Sequence, residues 1–335
     1  MNSKATIKVF TILMLAGLAP LTFDVRAESN DAKQAANTQK DDSLWTRDKL
    51  LGDAGGVRST LTEHGIDIDL RVSQYYQGVA SGGKDENSEY GGTVDYRATV
   101  DLNKLLGTWE GFSVSVHART RFGEDISTDT GAFVLENTAM LMPAPDDYHN
   151  TDVTGLLVNQ YLPLGEDHLA LLSLGKIDII DAVTLFFPDV SYGQEGFWNV
   201  HSMITALPWF GAVEGLSLYG GWAASINKEY QIGQSAILVT GTENVSDNWG
   251  SVSDSFDDVW VAAFHRFLWK LEDKLPGYFM IFGGFSTKEQ ASNDPSDFIF
   301  IPGQGIENTD TEKPWDIALY LSQDVWHAEG NPKRR

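Results

Sequence analysis

Three segments between residues 66 and 122 alternate strictly between apolar and polar positions. The apolar positions are Ile66, Ile68, Leu70 and Val72 in the first segment, Val94, Tyr96, Ala98 and Val100 in the second, and Phe112, Val114, Val116, Ala118 and Phe122 in the third. Successive side chains of a β-strand leave opposite faces of the sheet, so a period of two predicts three strands, each with one apolar and one polar face.

The third segment is long enough to cross the apolar part of a membrane. Phe112 to Phe122 would extend about 33 Å along a strand. At a tilt of roughly 45° this corresponds to about 23 Å of height, close to the apolar band of about 25 Å in an outer-membrane barrel. Alternation alone is equally compatible with a soluble sheet that has one wet face, but three long strands in succession favour a transmembrane antiparallel up-and-down β-barrel.

Further strand candidates recur between turn-rich segments, which makes the chain all-β apart from one short helix near its start. They are Phe133–Met142, Gly155–Leu162, His168–Lys176, Leu216–Ile226, Val259–Leu268, Tyr278–Thr287 and Pro314–Trp326, with Trp198–Leu207 as an additional candidate. We expect loops at 241–258 and 288–297, where Gly, Asn, Asp and Ser are concentrated. The helix should have Asp53 as its cap, Val57 and Leu61 one turn apart, and Gly65 at its end.

The N-terminus has the pattern of an export signal. Lys4 and Lys8 precede an apolar run that includes Pro20 and stops after Phe23, and small residues occupy the −3 and −1 positions of a cleavage site after Ala27. A membrane anchor is the alternative, but the run is shorter than the roughly 20 residues that a helical span requires. We therefore expect a signal peptide at 1–27, a polar disordered leader at 28–44 and one barrel domain at 45–335.

Composition narrows the class of partner. The chain carries a formal net charge of −23, which argues against binding of nucleic acid or anionic lipid headgroups. It contains no cysteine, so disulfides and thiolate metal sites are excluded. The 32 glycines and many aromatic residues are typical of a turn-rich β-protein.

Motifs of enzymes are missing from the sequence. The 7 histidines have no metal-ligand spacing, and there is no nucleophile elbow, Walker loop or dinucleotide fingerprint. Asp125, Ser127 and Asp129 resemble the start of a calcium loop but lack its glycine, which favours an acidic loop. A carboxylate pair of the glycosidase type stays open, since acidic residues are plentiful. We predict no enzyme activity, no cofactor and no metal.

The best site candidates are charged residues in the middle of the three strands, which should share the inner face of the barrel. They are Asp67, Asp69, Arg71, Asp95, Arg97, Asp101, Arg119 and Arg121. Guanidinium groups and carboxylates are good hydrogen-bond partners for the neighbouring hydroxyls of a sugar. The alternative is that they form ion pairs that only line the wall. A wet inner face would also let Arg119 be truncated with little effect on folding.

Several motifs resemble the carbohydrate-selective, glucose-inducible outer-membrane porins of Gram-negative bacteria. They are Trp45-x-Arg47, Leu51-Gly52-Asp53-x-Gly55-Gly56-x-Arg58, Leu61 with Gly65-Ile66, Val100-Asp101-Leu102, Leu105-x-Gly107-x-Trp109-x-Gly111, Arg121-Phe122-Gly123 and Leu174-Gly175-Lys176-Ile177-Asp178. The resemblance covers about residues 45–326 and is densest before residue 180.

The resemblance implies a barrel of about 16 strands in the outer membrane, in contact with its lipid, through which glucose and other small carbohydrates diffuse passively. Two features depart from the family pattern. Ala54 stands where the family has tryptophan, and the sequence ends at Arg335 without the aromatic final strand, so we expect the last strands to be missing. The rival hypotheses are a periplasmic β-rich protein that binds or cleaves polysaccharide, and an envelope barrel without a useful pore. Oligomeric state is left open.

Overall fold

The computed structural model describes residues 49–107, 109–131, 150–165, 168–186, 215–227, 234–245, 249, 252–271, 275–292, 294–303 and 305–326. The predicted signal peptide and leader lie outside these residues, as do the strands predicted at 133–142 and 198–207.

Ten antiparallel strands form one sheet in up-and-down order, as the alternation predicted. They are β1 (Ile66–Gly78), β2 (Ser88–Asp101), β3 (Phe112–Gly123), β4 (Thr151–Pro163), β5 (His168–Asp178), β6 (Ser217–Asn227), β7 (Gln234–Gly241), β8 (Val259–Leu271), β9 (Leu275–Ser286) and β14 (Trp315–Gln323). Each strand pairs with the next along this order. Within the described residues, β1 and β14 each have one neighbour in this sheet.

Two small sheets occupy the connection from β9 to β14. Strand β10 (Gln290–Ala291) pairs with β13 (Thr311–Glu312), and β11 (Phe298–Ile301) pairs with β12 (Gly305–Asn308). Among the other connections, 164–167 and 272–274 are short and join strands at one end of the sheet, whereas 179–216 and 242–258 are longer and join strands at the opposite end. Outer-membrane barrels have this arrangement of turns and loops.

The short N-terminal helix predicted from the sequence is present, but its N-cap is Gly56, in the left-handed region, and not Asp53. Helix α1 (Val57–Glu63) follows a 3-10 turn, and the Asp53 carboxylate accepts hydrogen bonds from the backbone N–H and the hydroxyl of Ser59. These bonds lower the pKa of Asp53. Gly65 adopts a φ of +82°, which favours glycine, directly after the helix.

Three further helices lie between strands. They are α2 (Leu102–Leu106), α3 (Ser127–Thr130) and α4 (Ile179–Phe186). Among the described residues, no helix is long and apolar enough to cross a membrane.

The two faces of the sheet differ in exposure. The outer face is apolar and exposed, as the row Val158, Leu174, Phe285 and Trp315 illustrates on four strands. The inner face is largely buried and continuous across the sheet, because Ser115, Asn159 and Ser173 are hydrogen-bonded side by side and Ser173 is in register with Trp222. On these four strands the outer face is thus apolar and exposed.

The inner face consists of two chemically different regions. In the charged region, on β1–β5, the buried side chains include Asp95, His117, Arg119 and Asp178. In the apolar region, on β6–β9 and β14, most of the buried side chains are hydrophobic, and they form one cluster with residues of β5 and α4. This cluster contains Leu171, Ile177, Ile179, Ile180, Ala182, Leu218, Trp222, Ala224, Ala236, Leu238, Trp260, Ala262, Phe264, Leu268, Tyr278, Met280 and Phe282.

Strand β7 was not predicted from the sequence. Its residues are buried almost without interruption on both faces, so apolar side chains occupy consecutive positions in Ala236, Ile237, Leu238 and Val239. A run of this kind has no period of two for a sequence reading to detect. The other predicted strands inside the described residues are present, with ends that differ by a few residues.

Candidate functional site

Strand register places all eight predicted site residues on the inner face of β1–β3. Across β1 and β2, Asp69 lies opposite Arg97 and Arg71 opposite Asp95, and across β2 and β3 Asp95 lies opposite Arg119. The remaining three follow the same alternation, with Asp67 opposite Thr99, Asp101 opposite Ser113, and Arg121 opposite Thr93. Residues directly opposite in an antiparallel pair point to the same face, so these charges form one patch.

A β-bulge next to this patch leaves the alternation of β3 intact. The register between β3 and β4 shifts after His117, which pairs with Gly155, while Ala118 pairs with Val153. The extra residue is therefore Thr154 on β4, and its hydroxyl donates a hydrogen bond to Asp178 at 3.0 Å. Because the bulge is on β4, Arg119 stays on the same face as His117.

Arg119 is the centre of a buried ion-pair network. Its Nε donates to Asp95 Oδ1 at 2.6 Å, and its Nη1 donates to Asp178 Oδ2 at 3.0 Å. Both carboxylates and the guanidinium are 0% exposed as side chains. Thr93 adds a hydroxyl donor to Asp95 at 3.4 Å. Two carboxylates thus hold one guanidinium from opposite sides.

His117 extends the network to helix α4. Its Nε2 lies 2.8 Å from Asp95 Oδ1, and its Nδ1 lies 2.6 Å from Asp181 Oδ2. Asp181 also accepts a hydrogen bond from Arg97 Nη2 at 3.1 Å. The side chains of β2 and β3 are thereby linked to the first turn of α4.

The junction of β5 and α4 supplies the two carboxylates that sequence reasoning missed. Asp178 ends β5, and its Oδ1 accepts the backbone N–H of Ile180 at 3.0 Å, which caps α4. Just upstream, Gly175 has a φ of +147°, and a Cβ there would collide with the carbonyl of Leu156. The Gly-Lys-Ile-Asp sequence at 175–178 belongs to a motif that resembles the porins, and it is the signal that could have identified Asp178 as a site residue.

The expectation that Arg119 stands on a wet face was wrong. Its side chain is fully buried and paired with two carboxylates, and it therefore has a structural role whatever else it does. Removal of one partner from a buried pair leaves an uncompensated charge, which is strongly destabilising.

The other predicted residues differ in their surroundings. Asp101 caps α2 by accepting the backbone N–H groups of Asn103 at 2.9 Å and Lys104 at 3.1 Å. Asp69 is paired with Lys49. The side chain of Arg97 is 27% exposed although it binds Asp181. Partly exposed positions also include Arg71 and Arg121, and Asp67 is exposed.

Three members of the network have the spacing of metal ligands. Atoms of His117, Asp178 and Asp181 that could bind a cation lie within 4.8 Å of one another. However, Asp178 is already paired with Arg119 and Asp181 with Arg97. A divalent cation would have to enter beside two guanidinium groups, so the geometry favours an ion-pair network over a metal site.

Up-and-down topology, an exposed apolar outer face and a charged region on the inner face define the class of the fold as an antiparallel sheet of the porin type. Comparison with solved structures agrees. The chain is similar to Pseudomonas putida OprB in a high-pH structure, with a TM-score of 0.61 over 85% of this chain and 67% of that chain, at 14% sequence identity. No protein-family model and no curated protein matches the chain. At this identity the similarity shows the fold.

Proposed function

We propose that the protein is an outer-membrane porin through which monosaccharides and other small carbohydrates diffuse passively. The proposal rests on one observation: the up-and-down sheet has an exposed apolar face on one side and a charged face on the other. An apolar band facing lipid and a polar interior are the defining features of an outer-membrane barrel. The fold similarity to OprB and the resemblance of the sequence motifs to carbohydrate-selective outer-membrane porins support the same assignment.

The charged region suits a hydroxyl-rich substrate. Carboxylates accept hydrogen bonds and guanidinium groups donate them, so together they match the neighbouring hydroxyls of a sugar. In this proposal the carbohydrate contacts Arg71, Arg97, Arg121, Asp67 and Asp69, which keep some exposure.

The other three predicted residues have supporting roles in the proposal. Asp95 and Arg119 lie beneath the exposed charges, where Asp95 pairs with Arg97 and His117 and is itself bound by Arg119. Asp101 keeps its role as the cap of α2. None of the three has to contact the substrate directly.

Arg71 offers the sharpest test of carbohydrate binding. We expect wild-type protein in a planar bilayer to form a channel whose conductance is blocked by glucose. Arg71→Ala should weaken this block about tenfold, because a hydrogen bond to a charged group contributes about 1.5–3 kcal/mol, and should shift ion selectivity towards cations. Arg71→Lys is the matched control, since it keeps the charge but loses the planar fork.

The control separates charge from hydrogen bonding. Arg71→Lys should retain the ion selectivity of the wild type and still lose part of the sugar block. If no sugar reduced the conductance of the wild-type channel, this result would contradict carbohydrate passage and favour an unspecific pore.

Cell fractionation tests the location. We expect the protein in the outer membrane, from which detergent but not osmotic shock releases it. Release by osmotic shock would instead favour the periplasmic protein that binds or cleaves polysaccharide.

A further inference from the structure

His117 connects three parts of the chain that are distant in sequence. Its ring reaches Asp95 on β2 through Nε2 and Asp181 on α4 through Nδ1, at 2.8 Å and 2.6 Å. Only 4% of the side chain is exposed. Asp181 is 64 residues from His117 along the chain, so this contact attaches α4 to the inner face of the sheet.

The two short contacts specify the protonation state of the ring. A carboxylate oxygen accepts hydrogen bonds, and two such oxygens face the two ring nitrogens, so both nitrogens must carry a proton. Arg119 Nη2 also lies 3.3 Å from Nε2, but the carboxylate of Asp95 is closer. An unprotonated Nε2 at 2.8 Å from that oxygen would bring two lone pairs together. The ring is therefore an imidazolium.

Charged groups surround the ring on every element packed against it. The ring contacts the carboxylates Asp95, Asp178 and Asp181 and the guanidinium group of Arg119, and the guanidinium group of Arg97 binds Asp181 beside it. At the next register positions are Arg71 and Asp69 of β1 and Asp152 of β4. In contact with the ring or beside it, three carboxylates face two guanidinium groups, so the imidazolium balances the third carboxylate.

We infer that His117 is a positioning residue whose protonated ring fastens helix α4 to strands β2 and β3, and that loss of this proton releases the helix. Once the ring is neutral, one nitrogen must face a carboxylate without a hydrogen to share. The attachment is therefore present at low pH and is lost as the pH rises through the titration of His117.

The consequence for transport rests on the proposed function. Helix α4 follows β5 directly and lies over the inner face, where Asp181 binds side chains of β2 and β3. In a channel, a helix fastened there narrows the passage. Release at high pH would open the channel further and increase its conductance.

Hydrogen exchange tests the attachment without relying on transport. Amide exchange of residues 179–186 is measured by mass spectrometry from about pH 5 to about pH 10. This range includes the usual histidine titration between pH 5 and 8. The exchange rates are corrected for the intrinsic pH dependence of amide exchange. Protection of α4 should be constant at low pH. As His117 titrates, protection should fall by up to about tenfold per pH unit, because opening then releases one proton, and it should level off once the ring is neutral in the attached state as well.

Two variants should abolish this dependence. In His117→Gln, α4 should exchange faster at every pH. After correction for intrinsic exchange, its protection should not depend on pH. In Asp181→Asn, an amide replaces the carboxylate at Nδ1, so a neutral ring satisfies both neighbours and the dependence should also vanish. The second variant removes a charge that is 34% exposed and keeps the ring, which provides the test if His117→Gln does not fold.

His265→Gln is the matched control. His265 lies on the outer face of β8 with its Nδ1 2.6 Å from Ser235 Oγ, and this variant should retain the wild-type pH dependence. A flat wild-type profile, or a dependence that persists in both His117→Gln and Asp181→Asn, would overturn the inference.

Conductance measured over the same pH range separates this inference from the proposed function. A rise in conductance at high pH that is lost in His117→Gln supports both. A channel with sugar block but with flat α4 exchange overturns the attachment and leaves the porin intact. Absence of any channel, with pH-dependent exchange of α4, overturns the porin and leaves the attachment intact.

Discussion

The two regions of the inner face accommodate their buried side chains in different ways. In the charged region, strands β1–β5 bury ionised side chains that each need partners of opposite charge, such as Arg119 between Asp95 and Asp178. In the apolar region, strands β6–β9 and β14 bury hydrophobic side chains such as Trp260, Met280 and Phe282, which need only fill space. Both regions belong to one continuous sheet with an apolar outer face.

The difference distinguishes the source of the fold's stability from the source of its specificity. Apolar burial is non-directional and contributes roughly in proportion to area. Buried ion pairs contribute little net stability, because the cost of desolvation opposes their attraction, but removal of one partner is severe. We therefore expect the apolar region to stabilise the fold, and the charged region to define which side chains meet.

Arg119→Met should give the largest effect in the charged region. It leaves Asp95 and Asp178 buried without their shared partner, at a cost of about 3–5 kcal/mol in the free energy of unfolding. Urea unfolding of the protein in lipid vesicles measures it. Arg121→Met is the matched control on the same strand and face, and it should cost less than about 1 kcal/mol because Arg121 is partly exposed. Equal costs would erase the distinction between the buried network and the exposed charges.

Trp260→Ala is the corresponding test in the apolar region. The side chain is 2% exposed in the middle of the hydrophobic cluster, so its truncation should cost about 3–5 kcal/mol. The same unfolding measurement applies, with Trp326→Ala, which removes an exposed tryptophan after β14, as the control. Sugar block and ion selectivity should not change in Trp260→Ala protein that has folded. A change in them would mean that the apolar region also defines the substrate path.

Val116→Arg tests the outer face behind the charged region. Val116 lies on the outer face of β3 between His117 and Ser115, so an arginine there should face hydrocarbon and cost about 2–4 kcal/mol near the middle of the membrane. Val116→Leu should be nearly neutral. If the arginine variant were as stable as the leucine variant, the outer face would not contact lipid in the way that the porin proposal requires.

Acidification should have the smallest effect, at helix α1. Hydrogen bonds from Ser59 lower the pKa of Asp53, so its stabilising contribution is complete above the ordinary aspartate pKa and is lost as the pH falls through the lowered one. Exchange of the α1 amides should therefore rise only in strong acid. Asp53→Asn should raise it at neutral pH and remove the acid-dependent step. If the acid-dependent step persisted in Asp53→Asn, it would have to arise from the titration of another group.

The sequence by itself determined the strands and faces of the charged region. In β1–β3 one face is polar and the other apolar, so a period of two specifies both the strand and the side to which each charge points. The same local rule failed at β7, where residues on both faces are buried and apolar. The position of α1 was also predictable, but its cap was not, because Gly56 is the N-cap and Asp53 binds Ser59 inside the helix.

Only the tertiary structure decided which charges meet and which are buried. Arg119 and Asp178 are 59 residues apart, and their contact depends on the bulge at Thr154 and on the junction of β5 with α4. Alternation reports the face of a side chain but not what covers that face. For this reason the sequence placed Arg119 correctly on the inner face but predicted that its side chain is exposed to water. In the structure, packing of distant strands and a helix leaves the side chain without contact to solvent.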